Sequence, residues 1–255
     1  MKKQHFSFAV TGTPRLDLRL PVGDMKVAPG APGVVEITLD GRDSAVDRMV
    51  VEQRGDTIHL EPDRTDRIRW SSVDVRVTVG EAADVHARLT SGDFTVATDL
   101  ASLAVETASG EISAGAISGD VTIRSASGDV QLGEVGGRLD VAVASGDIRA
   151  ESAGEVDLKS ASGDVAIREV QHDAVIRTVS GDVTIGAFLG ERLDAKSMSG
   201  EVTIAVPPGR RYDVAFSTIS GEIRTDFPVQ GTAETGSVAR LEVKTVSGDI
   251  RVRGI

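Results

Sequence analysis

From residue 118 onward, apolar side chains recur at the fourth and sixth positions of a nine-residue unit. The chain reads SGDVTIRSA (118–126), SGDVQLGEV (127–135), GGRLDVAVA (136–144) and SGDIRAESA (145–153). The fifth and seventh positions are mostly polar. A period of two is that of a half-buried strand, so Val121 and Ile123 face one way while Thr122 and Arg124 face the other. Each unit reads as turn, strand, corner. The ninth position is apolar too, as in Ala126, Val135, Ala144 and Val170, and is expected to turn inward where the strand bends.

Two such units make a longer period. The tripeptide Ser-Gly-Asp/Glu begins at Ser91, Ser109, Ser127, Ser145, Ser162, Ser180, Ser199, Ser220 and Ser247, at intervals of 18, 18, 18, 17, 18, 19, 21 and 27 residues. Half-period copies fall between, at Ser118-Gly119-Asp120, Gly136-Gly137-Arg138 and Gly154-Glu155. One unit of nine cannot bury its apolar face alone, but a stack of them buries a continuous core. The pattern predicts an all-β protein, a parallel β-solenoid (β-helix) with two-sided coils of about 18 residues built from units of about nine.

Residues 1–85 lack the tripeptide yet alternate in the same way. Leu16, Leu18 and Leu20 interleave with Arg15, Asp17 and Arg19, and Val73, Val75, Val77 and Val79 with Asp74, Arg76 and Thr78. Turn signals at Pro21-Val22-Gly23 and from Pro29 to Gly33 separate these strands. The expected division is a β region at 1–85, either irregular first coils or a cap, and a repeat solenoid at 86–255. The only helix foreseen is a short turn within Asp43 to Met49. Pro207-Pro208-Gly209 and the stretch from Gln230 to Ser237 are expected as insertions at coil corners. The last coil, ending Ile250 to Ile255, is expected to present an open strand edge.

Composition narrows the function. Lys+Arg 28 against Asp+Glu 39 gives a net charge of −11, the wrong sign for a surface that neutralises phosphates, so no nucleic-acid partner is expected. Aromatic residues are 3%, which argues against base-stacking platforms and large aromatic pockets. With Cys 0, disulfides, cysteine zinc sites and thiol nucleophiles are ruled out. No apolar run follows Lys2-Lys3, and no stretch reaches the roughly 18 residues of a membrane span. The expectation is a cytoplasmic protein, or one held at the inner face of the cell membrane by a partner.

The alternating amino-terminal region, the Val73 to Val79 strand and the run from Leu89 to Val96 that opens a train of S-G-D-V-x-I units resemble the bacterial DUF4097 family. Its members are named as adhesins by analogy, and some are associated with envelope stress. The resemblance covers nearly the whole chain. It implies a β-solenoid and a binding role linked to the envelope, and it implies no catalytic residue or cofactor.

The candidate site is a column of carboxylates, Asp93, Glu111, Asp129, Asp147, Asp164, Asp182, Glu201, Glu222 and Asp249, stacked along one edge. Unit charges about 4.8 Å apart repel by roughly 0.9 kcal/mol in water and about 3.5 kcal/mol at an effective dielectric of 20, so the column needs donors or cations. Backbone N–H groups at the turns can serve. Glu at three positions suits a turn better than a tight coordination sphere, so no metal is assigned, and Ser and Asp are expected to bond local backbone while Gly supplies a special turn.

Other chemistries fit less well. Calcium-binding nonapeptide solenoids want Asp at the sixth position, which here is apolar in Ile123, Leu132 and Ile167. A hexapeptide reading from Val130 misses Leu132, Leu139 and Val141. His5, His59, His86 and His172 have no metal-ligand spacing, and His172 stands in Gln171-His172-Asp173 as a turn variant. No serine lies in a G-x-S-x-G elbow. Arg124, Arg149, Lys159, Arg168 and Arg177 could line a polysaccharide-cleaving face, but a solvated surface explains them equally. Three functions follow in order: a non-enzymatic binding scaffold with an unknown protein or envelope component as partner, monomeric or joined end to end; a self-assembling polymer of the bactofilin type; and a carbohydrate-active enzyme.

Overall fold

The computed structural model describes residues 1–63, 71–226 and 238–255. The expected corner loop from Gln230 to Ser237 lies outside them. The chain forms two compact units, Met1–Leu132 and Gly133–Ile255.

In the first unit the strands are β1 (Lys2–Ala9), β2 (Arg15–Val22), β3 (Met25–Pro29), β4 (Val34–Gly41), β5 (Met49–Arg54), β6 (Thr57–Pro62), β7 (Val73–Val79), β8 (Ala83–Ser91), β9 (Phe94–Val96), β10 (Leu100–Ser109), β11 (Ile112–Ala114) and β12 (Val121–Ser127), followed by β13 (Val130–Ser145). The short helix turn foreseen after residue 42 is α1 (Asp43–Val46). Parallel pairing builds two runs, β6-β2-β8-β10-β12 and β7-β3-β9-β11-β13. Antiparallel pairs β1–β4, β4–β7 and β5–β6 extend them. Leu16, Leu18 and Leu20 are buried as their alternation predicts, and so are Val73, Val75, Val77 and Val79.

The amino-terminal strands therefore stack in register with the repeats. Ser91 lies opposite Val22 and Phe94 opposite Met25, and Gly23 has a φ of 130°, close to the 136° of Gly92. Val22-Gly23-Asp24 is thus a repeat turn without its serine. The opening of the stack also departs from chain order, because β2 lies between β6 and β8.

The second unit contains β14 (Ile148–Ser162), β15 (Val165–Val170), β16 (Ala174–Ser180), β17 (Val183–Ile185), β18 (Arg192–Ser199), β19 (Val202–Val206), β20 (Arg211–Ser217), β21 (Ile223–Thr225), β22 (Val238–Ser247) and β23 (Ile250–Gly254). Among the described residues its strands pair in parallel, in the runs β14-β16-β18-β22-β20 and β14-β15-β17-β19-β23-β21. The carboxyl-terminal coil is not the open end. β23 lies between β19 and β21, and β22 between β18 and β20, so the last strands in the chain are paired on both sides. The long intervals before Ser220 and Ser247 fall where this order is exchanged. Pro207-Pro208-Gly209 leads into a coil that stacks on the final one, and is not an insertion within a coil stacked on its predecessor. The outer strand β20 is only partly covered: Tyr212, Val214 and Phe216 are half-buried and Arg211, Asp213 and Ala215 exposed.

One further expectation is corrected. Val135 and Val170 are buried, but Ala126 and Ala144 are exposed. Before a Ser-Gly turn the strand keeps its alternation through the corner, so the residue two before the serine points inward and the next one outward. Ser125, Ser160, Thr178, Ser197 and Thr245 are those inward residues, each at most 8% exposed. The hydroxyls of Thr107 and Ser125 donate to the carbonyls of Ser109 and Ser127 at 3.1 Å, and Thr245 donates to that of Gly248 at 3.0 Å.

Candidate functional site

The Ser-Gly-Asp corner is dictated by its backbone. Its nine glycines, Gly92, Gly110, Gly128, Gly146, Gly163, Gly181, Gly200, Gly221 and Gly248, have φ between 118° and 153°, where an L side chain is strained. Stacking adds a second constraint: a Cβ on Gly110 would lie 2.0 Å from the carbonyl oxygen of Gly92, and one on Gly181 would lie 2.2 Å from that of Gly163. Nothing larger than hydrogen fits at that point.

The carboxylates then join coil to coil. In the first unit the N–H of Asp93 donates to Asp24 Oδ1 at 3.0 Å and that of Glu111 to Asp93 Oδ1 at 2.9 Å. In the second unit Asp164 N–H donates to Asp147 at 3.0 Å, Asp182 N–H to Asp164 at 2.9 Å, Glu201 N–H to Asp182 at 2.8 Å, and Glu222 N–H to Asp249 at 2.9 Å. Each of these aspartates is an acceptor for a neighbouring turn, which offsets the repulsion along the column. Glu201 accepts instead from the Thr203 hydroxyl at 2.8 Å and pairs with Arg251 at 2.9 Å, and Glu222, on the outermost strand of the run, pairs with Arg224. The backbone carbonyl of Asp129 accepts the N–H of Ile112 at 2.9 Å. Asp24 is the member that sequence reasoning missed; its signal was Gly-Asp followed by Met25-Lys26-Val27, the repeat pattern without serine. Among the described residues no group of three or more His, Asp or Glu side chains is arranged to hold a metal ion.

Three of the five outward basic residues sit in ion pairs or bonds. Arg149 meets Asp147 at 2.9 Å and Arg168 meets Glu151 at 2.8 Å, and this hydrogen bond raises the Arg168 guanidinium above its ordinary range. Arg124 donates to the Ile123 carbonyl at 3.0 Å. Lys159 lies beside Arg177 in the next coil, and Arg177 beside Lys196. Within the second unit they divide between the two strand runs, Arg149 and Arg168 on one and Lys159 and Arg177 on the other.

Described residues line two depressions that bear on chemistry. One, of about 290 Å³, is lined by Val175, Arg192, Leu193, Asp194, Arg240 and Glu242. It holds two carboxylates from neighbouring strands, Asp194 opposite Glu242, the arrangement a general acid and base would need. Their surroundings oppose that use. Asp194 meets Lys196 at 3.0 Å and Glu242 meets Lys244 at 2.6 Å. The hydrogen bond from Lys244 holds the Glu242 carboxyl below its ordinary range, whereas a general acid at neutral pH needs a raised one.

The other, of about 230 Å³, lies in the first unit between Arg19, Glu61 and Arg88. Beside it the exchange of strand order brings together two histidines 27 residues apart in the chain: His59 Nδ1 is 3.4 Å and His86 Nδ1 3.8 Å from the carboxylate of Asp17. Arg19 also reaches Asp17, at 3.3 Å. Sequence spacing could not reveal this cluster, because β2 separates β6 from β8 in space but precedes both in the chain. His172 occupies the corner opposite the carboxylate column, its N–H donating to the Gly154 carbonyl at 2.8 Å, which is the turn role expected for it.

An all-β, solenoid-like repeat protein with aspartate-bridged turns is the class these features define. The chain belongs to the Toastrack DUF4097 family, whose model matches residues 34–253. A solved structure described as a "putative adhesin" from Bacteroides fragilis is similar to it, with 16% identity and a TM-score of 0.52, covering 100% of this chain and 97% of that one. Others under the same description come from Parabacteroides distasonis (10% identity, TM-score 0.45, 98% of this chain and 97% of that one) and Parabacteroides merdae (10%, 0.45, 100% and 96%). Identity this low speaks for the fold alone. No curated protein matches the chain, and no helix among the described residues is long and apolar enough to cross a membrane.

Proposed function

We propose that this chain is a non-enzymatic binding scaffold, a two-sided parallel β-solenoid whose partner is a component of the bacterial cell envelope. The observation that carries the reading is the in-register repetition of outward side chains. In the second unit Arg177, Lys196 and Lys244 form one row and Asp194 and Glu242 another across successive strands. Rows of similar weak sites at a fixed spacing suit an extended or repetitive partner, for which many small contacts add. In the larger depression Lys244 holds the Glu242 carboxyl below its ordinary range and Lys196 pairs with Asp194, which supports binding over acid–base chemistry. The name given to the Bacteroides fragilis relative agrees with a binding role. The scaffold acts at the inner face of the cell membrane, reached through its partner.

The test is affinity capture from solubilised envelope fractions by the wild-type chain and by the double variant Arg192→Glu/Arg240→Glu, alongside a reducing-end assay on cell-wall polysaccharide. The reading expects a partner retained by the wild type and lost from the variant, with no reducing ends released. Equal retention by both chains, or turnover of the polysaccharide, overturns it.

A further inference from the structure

The second unit carries an apolar stripe that its core does not use. The residue just before each Ser-Gly turn points outward. In the last four coils it is large: Val179, Met198, Val246 and Ile219, in that spatial order, are 49%, 57%, 45% and 82% exposed. The equivalent residues of the other coils are small or polar, among them Ala108, Ala126, Ala144 and Ala161.

Charge borders the stripe on both sides. Two residues before it runs a basic row, Arg177, Lys196 and Lys244. Three residues after it runs the acidic column, Asp182, Glu201, Asp249 and Glu222. Across the corner the sequence of rows is therefore basic, apolar, acidic.

We propose that this stripe is a self-association surface and that its occupant is a second copy of this chain, related by a two-fold axis parallel to the direction in which the coils stack. Two features select that occupant and that axis. The side chains repeat at the inter-strand spacing of about 4.8 Å, and another copy carries the same repeat, so residue meets residue along the whole stripe. A parallel two-fold also sets the basic row of each copy against the acidic column of the other, with Lys196 facing Glu201 and Lys244 facing Asp249. An axis perpendicular to the stack would set basic against basic and acidic against acidic. Four coils make a strip only about 19 Å long, less than a standard interface, so the dimer is weak and concentration-dependent. This inference goes beyond the scaffold reading and assigns part of the same basic row, Lys196 and Lys244, to the contact between copies.

The protein contains no cysteine, so single cysteines report the geometry without background. Val179→Cys, Met198→Cys and Ile219→Cys chains are oxidised mildly, alone and in pairs. The parallel two-fold predicts that each variant crosslinks to itself and that the Val179→Cys and Ile219→Cys chains do not crosslink to each other. Crosslinking between those two, which an antiparallel arrangement would give, overturns the proposed axis. Sedimentation equilibrium of the wild type should show a reversible dimer, weakened at least tenfold by Met198→Asp. The charge variants Lys196→Glu and Glu201→Lys should each lose the dimer alone and regain it when mixed, because the mixed pair is complementary at both contacts. Circular dichroism confirms that each variant is folded. A wild type that stays monomeric, a dimer indifferent to Met198→Asp, or charge variants that do not rescue each other overturn the proposal, and capture of the wild type by lipid vesicles in place of a second copy does the same.

Discussion

The two corners of a coil obey different rules, and the difference explains why one is written as a fixed tripeptide while the other drifts. At the Ser-Gly-Asp corner the backbone enters the region that favours glycine, the coil before leaves no room for a Cβ, and the aspartate bonds the N–H of a neighbouring turn. Three demands give three residues. At the opposite corner Gly119, Gly154 and Gly190 lie outside that φ region. Crowding alone acts there: a Cβ on Gly119 would lie 2.5 Å from the Ala101 carbonyl oxygen. The chain accordingly writes that corner as Ser118-Gly119-Asp120, Gly154-Glu155 or Gln171-His172-Asp173, and a histidine side chain is tolerated. Positional constraint on the backbone, more than the hydrophobic pattern, fixes the visible period.

The first corner is most sensitive at its glycine. Gly181→Ala meets both the φ of 118° and the 2.2 Å approach to the Gly163 oxygen, and should cost about 3 kcal/mol or more, read as a fall in the urea midpoint. Removing a bridge costs less: Asp164→Ala leaves the Asp182 N–H without its 2.9 Å acceptor, a loss of about 1 kcal/mol in the same measurement. The inward hydroxyl beside this corner sharpens the contrast. Thr178 Oγ1 is buried without a partner, so Thr178→Val should be neutral or stabilising by up to about 1 kcal/mol, whereas Ser125→Ala removes a bond to the Ser127 carbonyl and should destabilise. At the opposite corner His172→Ser should move the midpoint by no more than about 0.5 kcal/mol.

The smallest effect concerns pH. Glu242 is held below the ordinary carboxylate range by Lys244. A lowered folded-state value stabilises the fold above the unfolded-state range, and that contribution is lost as pH falls through the lowered value. The difference in stability between wild type and Lys244→Met should therefore be present at neutral pH and vanish in acid. It will be slight, because the pair is exposed.

Much of the fold was legible in the sequence for a physical reason: the alternation of Val121 and Ile123 with Thr122 and Arg124 is the direct imprint of a pleated, half-buried strand. Spatial order was not legible. Nothing in the alternation of Leu241, Val243, Ile250 and Val252 says that these strands stack on Leu193 and Val202 and leave Arg211–Ser217 outermost, since every coil offers its neighbours the same pattern. The same degeneracy hid the grouping of His59 and His86 about Asp17. Ala126 and Ala144 were misplaced because apolar character was taken for burial, whereas alanine is small enough to stand exposed at a corner. The carboxylate column was legible as residues, and its chemistry became visible only when each aspartate was seen beside the next turn's N–H.

The carboxylate column belongs to the fold, its bridging aspartates serving as acceptors between coils. Thermal unfolding of the wild type and Asp164→Asn across a calcium titration tests this. Asparagine keeps the oxygen acceptor and loses the charge, so its melting temperature should equal or slightly exceed that of the wild type, with neither protein responding to calcium. A calcium-dependent rise in the wild type that Asp164→Asn abolishes would contradict it and make the column a cation site.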